Sequence, residues 1–332
     1  MPALAGGRVT AAPLLEARGL GRVFDLPRSG FGPRPRLRAV DDVSFAIAPG
    51  EVLGLVGESG SGKSTIGRLV LRLLDPSAGA VVFEGRDITR ATPAAMRPLR
   101  RRMQMVFQDP YASLNPRRSA GDAIAEVLAL HAIGTPGERP LRVADLLVQV
   151  GLSPEDATRR PREFSGGQRQ RIAIARALAV SPRLLVADEP VSALDVSVQA
   201  GILSLMRALQ ERLGLAMLFI SHDLGVVEVM ADRVLVLYLG RAMELAPTRA
   251  IFTAPRHPYT AGLLAAAPAM AGRRRPAVQL RDEIPSPADP PTGCVFRTRC
   301  PFALPRCAAE VPALRPAGQG RAMACLRDDL EF

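Results

Sequence analysis

Apolar and polar positions alternate over Leu14–Phe24 and again over Val43–Ile47, the two-residue period of strands with one buried face. A loop rich in Pro, Gly and Arg, from Pro27 to Pro35, separates them. Glu51–Val56 is a short apolar run that enters a glycine-rich stretch, and Lys63–Leu74 then switches to helical spacing until Asp75-Pro76 stops it. From about Ala91 to Arg162 the pattern predicts helices, most clearly over Ala120–Leu130 and Leu141–Val150. Gly167–Val180 predicts an amphipathic helix and Leu184–Ala187 an apolar strand. Helix Val196–Leu213 and strands Ala216–Ile220 and Arg233–Tyr238 follow. Such alternation predicts an α/β domain with a buried sheet. After about Pro255 the chain turns rich in Pro, Arg and Cys, which predicts a separate C-terminal extension. No internal repeat is visible.

Composition narrows the class. The 332 residues suffice for one large α/β domain plus an appendage, and 48% hydrophobic residues argue against wholesale disorder. No apolar run reaches the length of about 18 residues that a membrane-spanning helix needs, and residues 1–10 lack the apolar core of a secretory signal, so a cytoplasmic address is expected. The formal charge is +11, yet the arginines fall in short scattered clusters and only 4% of residues are aromatic. That distribution argues against a nucleic-acid partner and for a solvated surface near an anionic membrane leaflet. Among 43 basic residues there is one lysine, Lys63. Its survival marks a place where a compact ammonium is needed and a planar guanidinium fails.

That lysine lies in Gly57-Glu58-Ser59-Gly60-Ser61-Gly62-Lys63-Ser64-Thr65, between a predicted strand and a predicted helix. Glycines there let backbone N–H groups turn toward phosphates, and the helix N-terminus adds a favourable dipole. Lys63 is expected to reach the β/γ-phosphates and the Ser64 hydroxyl to bind Mg²⁺. A second feature, Leu184-Leu185-Val186-Ala187-Asp188-Glu189, is an apolar strand ending in two carboxylates. Asp188 suits the Mg²⁺ shell and Glu189 the attacking water.

Phe164-Ser165-Gly166-Gly167-Gln168 resembles the signature of the ABC ATPase family, with Phe164 in place of the usual leucine. In the same order, Gln108 resembles the family's Q-loop glutamine, Ser192-Ala193-Leu194-Asp195 its D-loop, and His222 in Phe219-Ile220-Ser221-His222-Asp223 its switch histidine. The resemblance spans roughly Leu14–Pro247. It implies a P-loop ABC-type nucleotide-binding domain over residues 1–255, with a mixed sheet core, an antiparallel β subdomain and an α-helical subdomain at about 91–162. The small Cys-rich extension would cover 256–332. By the same resemblance Glu189, His222 and Gln108 are the catalytic residues, and Gln108 joins Ser64 and Asp188 around Mg²⁺. The ATP site would run from Gly57 to Thr65, with Phe24 stacking on adenine and Phe31 competing for that role. Ser165, Gly166, Gly167, Gln168 and Asp195 would close on the nucleotide from a second subunit in a head-to-tail dimer.

The segment Met105-Val106-Phe107-Gln108-Asp109-Pro110-Tyr111-Ala112-Ser113-Leu114-Asn115-Pro116-Arg117 is more particular, and resembles ATPases of the oligopeptide/dipeptide importers and their nickel-transport relatives. Tyr238-Leu239-Gly240 and His257-Pro258-Tyr259-Thr260 point the same way, and Tyr111 favours the F-type subunit. The resemblance implies an ATP-hydrolysing subunit that powers peptide uptake from the cytoplasmic face of a bacterial inner membrane. Its partners would be an unlike D-type ATPase, two permeases and, indirectly, an extracellular binding protein. Nickel or another small solute is the alternative cargo; a non-transport ABC ATPase in DNA repair or translation is the alternative class. The four cysteines, Cys294, Cys300, Cys307 and Cys325, all fall within residues 294–325. Disulfides are disfavoured in the cytoplasm, and no pair has the short spacing usual for zinc. The resemblance to the peptide-importer C-terminal region implies a [4Fe–4S] cluster on these thiolates, with zinc or free cysteines as alternatives.

Overall fold

In the computed structural model, residues 12–27, 34–109, 114–267, 278–280 and 283–332 are described. The chain divides into two units, Met1–Arg90 with Ser221–Phe332, and Ala91–Ile220.

The first unit opens with the predicted alternating strands, β1 (Leu15–Asp25) and β2 (Arg36–Ile47), paired antiparallel. Short β3 (Val52–Val56) is wholly buried, so its polar/apolar alternation disappears into a continuous apolar run. It feeds the glycine loop and helix α1 (Lys63–Val70), which is one turn shorter than the apolar spacing to Leu74 predicted. Strands β4 (Ala78–Phe83) and β5 (Arg86–Asp87) complete an antiparallel sheet in the order β2-β1-β4-β5.

The second unit begins with α2 (Pro93–Arg100), capped by the Thr92 hydroxyl with Pro93 in the first turn. The next element corrects the sequence reading. Met103–Val106 lies inside the stretch expected to be helical, yet it is a strand, β6. Only Val106 among its four residues is β-branched, so local propensity is weak; parallel pairing with the buried strand β7 (Leu184–Asp188) overrides it. Helices α3 (Ala120–Leu130), α4 (Arg139–Gln149) and α5 (Gly166–Leu178) follow, the first and last opened by reciprocal capping boxes. After β7 come α6 (Val196–Leu213), ended by Gly214 in the left-handed region at φ 60°, and β8 (Ala216–Ile220). Strands β6, β7 and β8 run parallel with β7 central, and every residue of β7 and β8 is buried. At about 1.5–3 kcal/mol per large apolar side chain, these strands anchor the carboxylates at the end of β7.

The chain then returns to the first unit with α7 (Leu224–Met230), β9 (Arg233–Tyr238) and β10 (Arg241–Pro247). Neither α7 nor β10 was anticipated; α7 is only seven residues long, and β10 is almost entirely buried, so neither shows a clear period. Strand β9 is parallel to β3 with Leu55 opposite Leu235, and antiparallel to β10. The extension supplies α8 (Thr248–Thr253), α9 (Pro258–Ala266), β11 (Arg315–Pro316) and β12 (Ala322–Met323). β12 pairs with β10, so the extension adds strands beside the core rather than hanging from it. The buried Glu244 on β10 accepts from the backbone N–H groups of Arg256 (3.0 Å) and His257 (3.1 Å), which fixes the start of α9. Its burial pushes its carboxyl above the usual range.

His257 itself caps α9, its Nδ1 accepting from the Tyr259 amide at 3.0 Å. It is 1% exposed, and burial lowers its imidazole to about 4. A base depressed in the folded state binds fewer protons than the unfolded chain between pH about 6.5 and about 4. Its stability contribution is therefore complete above pH 6.5 and falls by about 3 kcal/mol as pH drops through that window. Urea unfolding at pH 7 and pH 4.5 should show a smaller acid loss for His257→Asn than for the parent chain. Equal losses in the two proteins would refute this role.

Candidate functional site

The phosphate-type loop is held open by its backbone. Gly62 has φ 98°, and a Cβ there would lie 2.3 Å from the Ala39 carbonyl oxygen, so no other residue fits. Gly62 occupies the N-cap position of α1 and brings no capping side chain, leaving that helix terminus suited to an anion. Lys63 is 5% exposed and folds back over the loop. Its Nζ donates to the carbonyl oxygens of Gly57 (2.7 Å) and Glu58 (2.9 Å) and to Ser61 Oγ (3.4 Å). Ser64 and Thr65 stand half-buried in the first turn. Glu58 is held by the extension: its amide donates to the Tyr259 hydroxyl at 3.1 Å, and its carboxylate accepts two bonds from Arg299 at 2.7 and 3.1 Å.

His222 belongs to the same unit. The preceding Ser221 donates its amide to the Leu55 carbonyl oxygen (3.2 Å), two residues before Gly57, and Asp223 caps α7 through Gly225 and Val226. His222 is thus exposed between two structurally committed neighbours, on the strand end that leads into the loop. Phe24 lies on β1 opposite Leu37, half-buried, with the Arg22 guanidinium 4.6 Å from its ring centre. One ring face is therefore already used. Phe31 and Tyr111 lie outside the described residues.

The second unit gathers the remaining candidates. Gln108 donates through Nε2 to Glu189 Oε2 at 2.9 Å, joining residues 81 positions apart. Glu189 follows the buried Asp188 at the end of β7 and has φ 47°, a left-handed conformation uncommon for a glutamate. Its amide donates to the Ile220 carbonyl oxygen (2.9 Å) and its carbonyl oxygen accepts from the Ser192 hydroxyl (3.1 Å), so the strained backbone is held from both sides. Gln199 donates to the carbonyl oxygens of Val191 and Leu194 at 3.0 and 2.9 Å, which orders the turn leading to exposed Asp195.

In the signature segment, Ser165 Oγ accepts from the Gln168 amide (3.3 Å) while Gln168 Oε1 accepts from the Ser165 amide (2.9 Å). The hydroxyl proton of Ser165 is not consumed by that cap, so it can be donated to an anion. Gly167 is required by packing, since a Cβ would come within 2.4 Å of Val198 Cγ1. Phe164 is buried beneath the Arg159 guanidinium, 4.4 Å from the ring centre, an apolar slot that accepts phenylalanine for leucine.

In the extension, all four cysteines line one cavity of about 20 Å³ with Phe296 and Phe302. Burial raises Cys294 to about 11 and Cys300 to about 12, and raises Cys325 as well, so these are neutral thiols. Among the described residues no group of three or more His, Cys, Asp or Glu is set to hold a metal ion.

Comparison with known proteins decides the family. Residues 40–192 match the model described as ABC transporter, and residues 243–307 match the oligopeptide/dipeptide transporter C-terminal region. A Brucella ovis protein described as a peptide import ATP-binding protein is 54% identical over 323 residues, 97% of this chain and all of that one. The chain belongs to the ABC transporter family, in its oligopeptide/dipeptide branch. Its similarity to the oligopeptide transport ATP-binding protein AppF of Bacillus subtilis is 49% identity, over 94% of this chain and 96% of that one. Among solved structures it is similar to the ABC cassette MJ0796, in a dimeric post-hydrolysis state bound to ADP and Pi. That likeness has a TM-score of 0.64 at 28% identity, covering 71% of this chain and 99% of that one. CbiO1 of Clostridium perfringens, part of an ABC transporter complex, gives a TM-score of 0.62 at 26% identity, over 72% of this chain and 90% of that one.

Within this ABC ATPase, sequence reasoning found the loop, the β7 carboxylates and the signature but missed Arg299, Tyr259 and Tyr238 as neighbours of the loop. The last two sat in motifs that served only as family marks. Replacing Gly62 by Ala should lower affinity for a fluorescent ATP analogue at least about tenfold, because the clash and the positive φ both fall on the loop. Unchanged affinity by fluorescence titration would show that the loop conformation described here is not the binding one.

Proposed function

We propose that this chain hydrolyses ATP to drive uptake of di- or oligopeptides through a separate membrane permease. The observation that carries the peptide reading is the match of residues 243–307 to the oligopeptide/dipeptide transporter C-terminal region, supported by the peptide-import relatives. Hydrolysis rests on Glu189, whose carboxylate the Gln108 amide orients at 2.9 Å. Gly57–Thr65 would cradle the phosphates, and Glu189 would accept the proton of the attacking water as general base. His222 would hold the γ-phosphate. Ser165, Gly166 and Gly167, with Gln168 and Asp195, would close on nucleotide bound by another subunit. Loss of the γ-phosphate then removes the contacts that favour closure, so nucleotide state biases a two-state dimer.

Mg²⁺ would be held by Ser64, Gln108 and Asp188, hard oxygen donors that suit it, and would neutralise phosphate charge when bound. Four thiols around one cavity match the donor set of a four-cysteine cluster and not a single-ion site. A [4Fe–4S] group on Cys294, Cys300, Cys307 and Cys325 would tie the extension together as a structural staple. The partner ATPase is an unlike, D-type subunit, and the complex sits on the cytoplasmic face of the membrane. The helices of residues 91–162 would meet the permease, and residues 256–332 form the importer-type extension. No helix among the described residues is long and apolar enough to cross a membrane, which fits a peripheral subunit.

Glu189→Gln should abolish steady-state ATP turnover in the assembled transporter while nucleotide binding persists; parental turnover would remove Glu189 from the role of base. Anaerobically purified chain should contain iron and acid-labile sulfide, and an iron-free, colourless protein would eliminate the cluster.

A further inference from the structure

Glu58 sets an electrostatic problem inside the phosphate loop. The loop's ligand carries several negative charges, and Glu58 places a carboxylate within the same eight-residue turn. An uncompensated carboxylate there repels the ligand it helps to surround. Arg299, from the extension and 241 residues away, meets it with two bonds at 2.7 and 3.1 Å. Its side chain is only 7% exposed and that of Glu58 24%, so solvent screens the pair weakly.

The surroundings fix this arginine. Its guanidinium lies 5.6 Å from the Tyr238 ring centre, and Tyr238, Tyr259 and Phe296 form a triangle with centres 4.8 to 5.3 Å apart. Tyr259 is fully buried and accepts from the Glu58 amide, so ring packing and backbone of the loop are joined at one residue. That bond turns the Glu58 N–H away from the ligand side and defines where the loop begins to curl.

We infer that Arg299 and Tyr259 are positioning residues for nucleotide binding: Arg299 cancels the Glu58 charge and Tyr259 pins the Glu58 backbone, so the extension sets the affinity of a loop it does not contribute to. The inference rests on the loop being the nucleotide site. A parent chain that bound no ATP would sink that reading rather than this one.

Charge cancellation and mere strutting predict different signs. In the full chain, titrated with a fluorescent ATP analogue, Arg299→Met should raise Kd about tenfold by exposing the loop to the bare Glu58 carboxylate. Glu58→Gln leaves a lone cation beside the phosphates and should bind as tightly as the parent or tighter. The double variant should return to within a few-fold of the parent, and the Arg299→Met defect should shrink at high salt. Tyr259→Phe should weaken binding a few-fold independently of salt. If Arg299→Met binds like the parent, or Glu58→Gln weakens binding as much as Arg299→Met does, charge cancellation is wrong. Should Arg299→Met fail to fold by circular dichroism, Glu58→Gln and the double variant still decide the matter.

Discussion

A phosphate-binding loop has to point several backbone N–H groups at one place, which no regular secondary structure does. The chain must then leave β3, curl through positive φ and enter α1 within a few residues. The curl holds because the Lys63 ammonium is bound by the carbonyl oxygens of Gly57 and Glu58, which tie the end of the loop to its beginning. A guanidinium is planar and wider, and cannot donate in that compact tripod. In a chain that uses arginine for 42 of its 43 basic residues, the one exception sits where geometry forbids the substitution.

Features set by local chemistry were legible in the sequence. Helices Ala120–Leu130 and Val196–Leu213 begin and end where their apolar periods do, because caps and glycine stops coincide with them. The loop and signature were legible because glycine is irreplaceable where a backbone must turn or approach closely. Features set by distant pairing were not. β6 is a strand because β7 lies beside it, β10 because β9 does, and four or seven residues of mixed propensity cannot announce such partners. Likewise Tyr259 and Arg299 carry no local mark of their bonds to Glu58, since the contact spans more than 200 positions.

The two carboxylates closing β7 illustrate a division of labour. Asp188 ends a fully buried strand and takes its position from packing. Glu189 leaves the strand in a left-handed conformation, and strain of order 1–3 kcal/mol is tolerated there because its amide and carbonyl oxygen are both engaged. The payoff is direction: the side chain is delivered to the Gln108 amide. A reactive carboxylate aimed by backbone strain and steadied by an amide behaves as a preorganised group, needing little rearrangement when substrate arrives.

The binding of Lys63 into its own loop also governs how the chain presents itself to reagents. The sequence contains one ε-amine, and it is 5% exposed and engaged by three oxygen acceptors. Acylating or cross-linking chemistry that targets lysine therefore finds no side-chain handle on the folded surface. The same amine becomes available once the loop opens, which makes this ATPase its own single-site reporter of local unfolding.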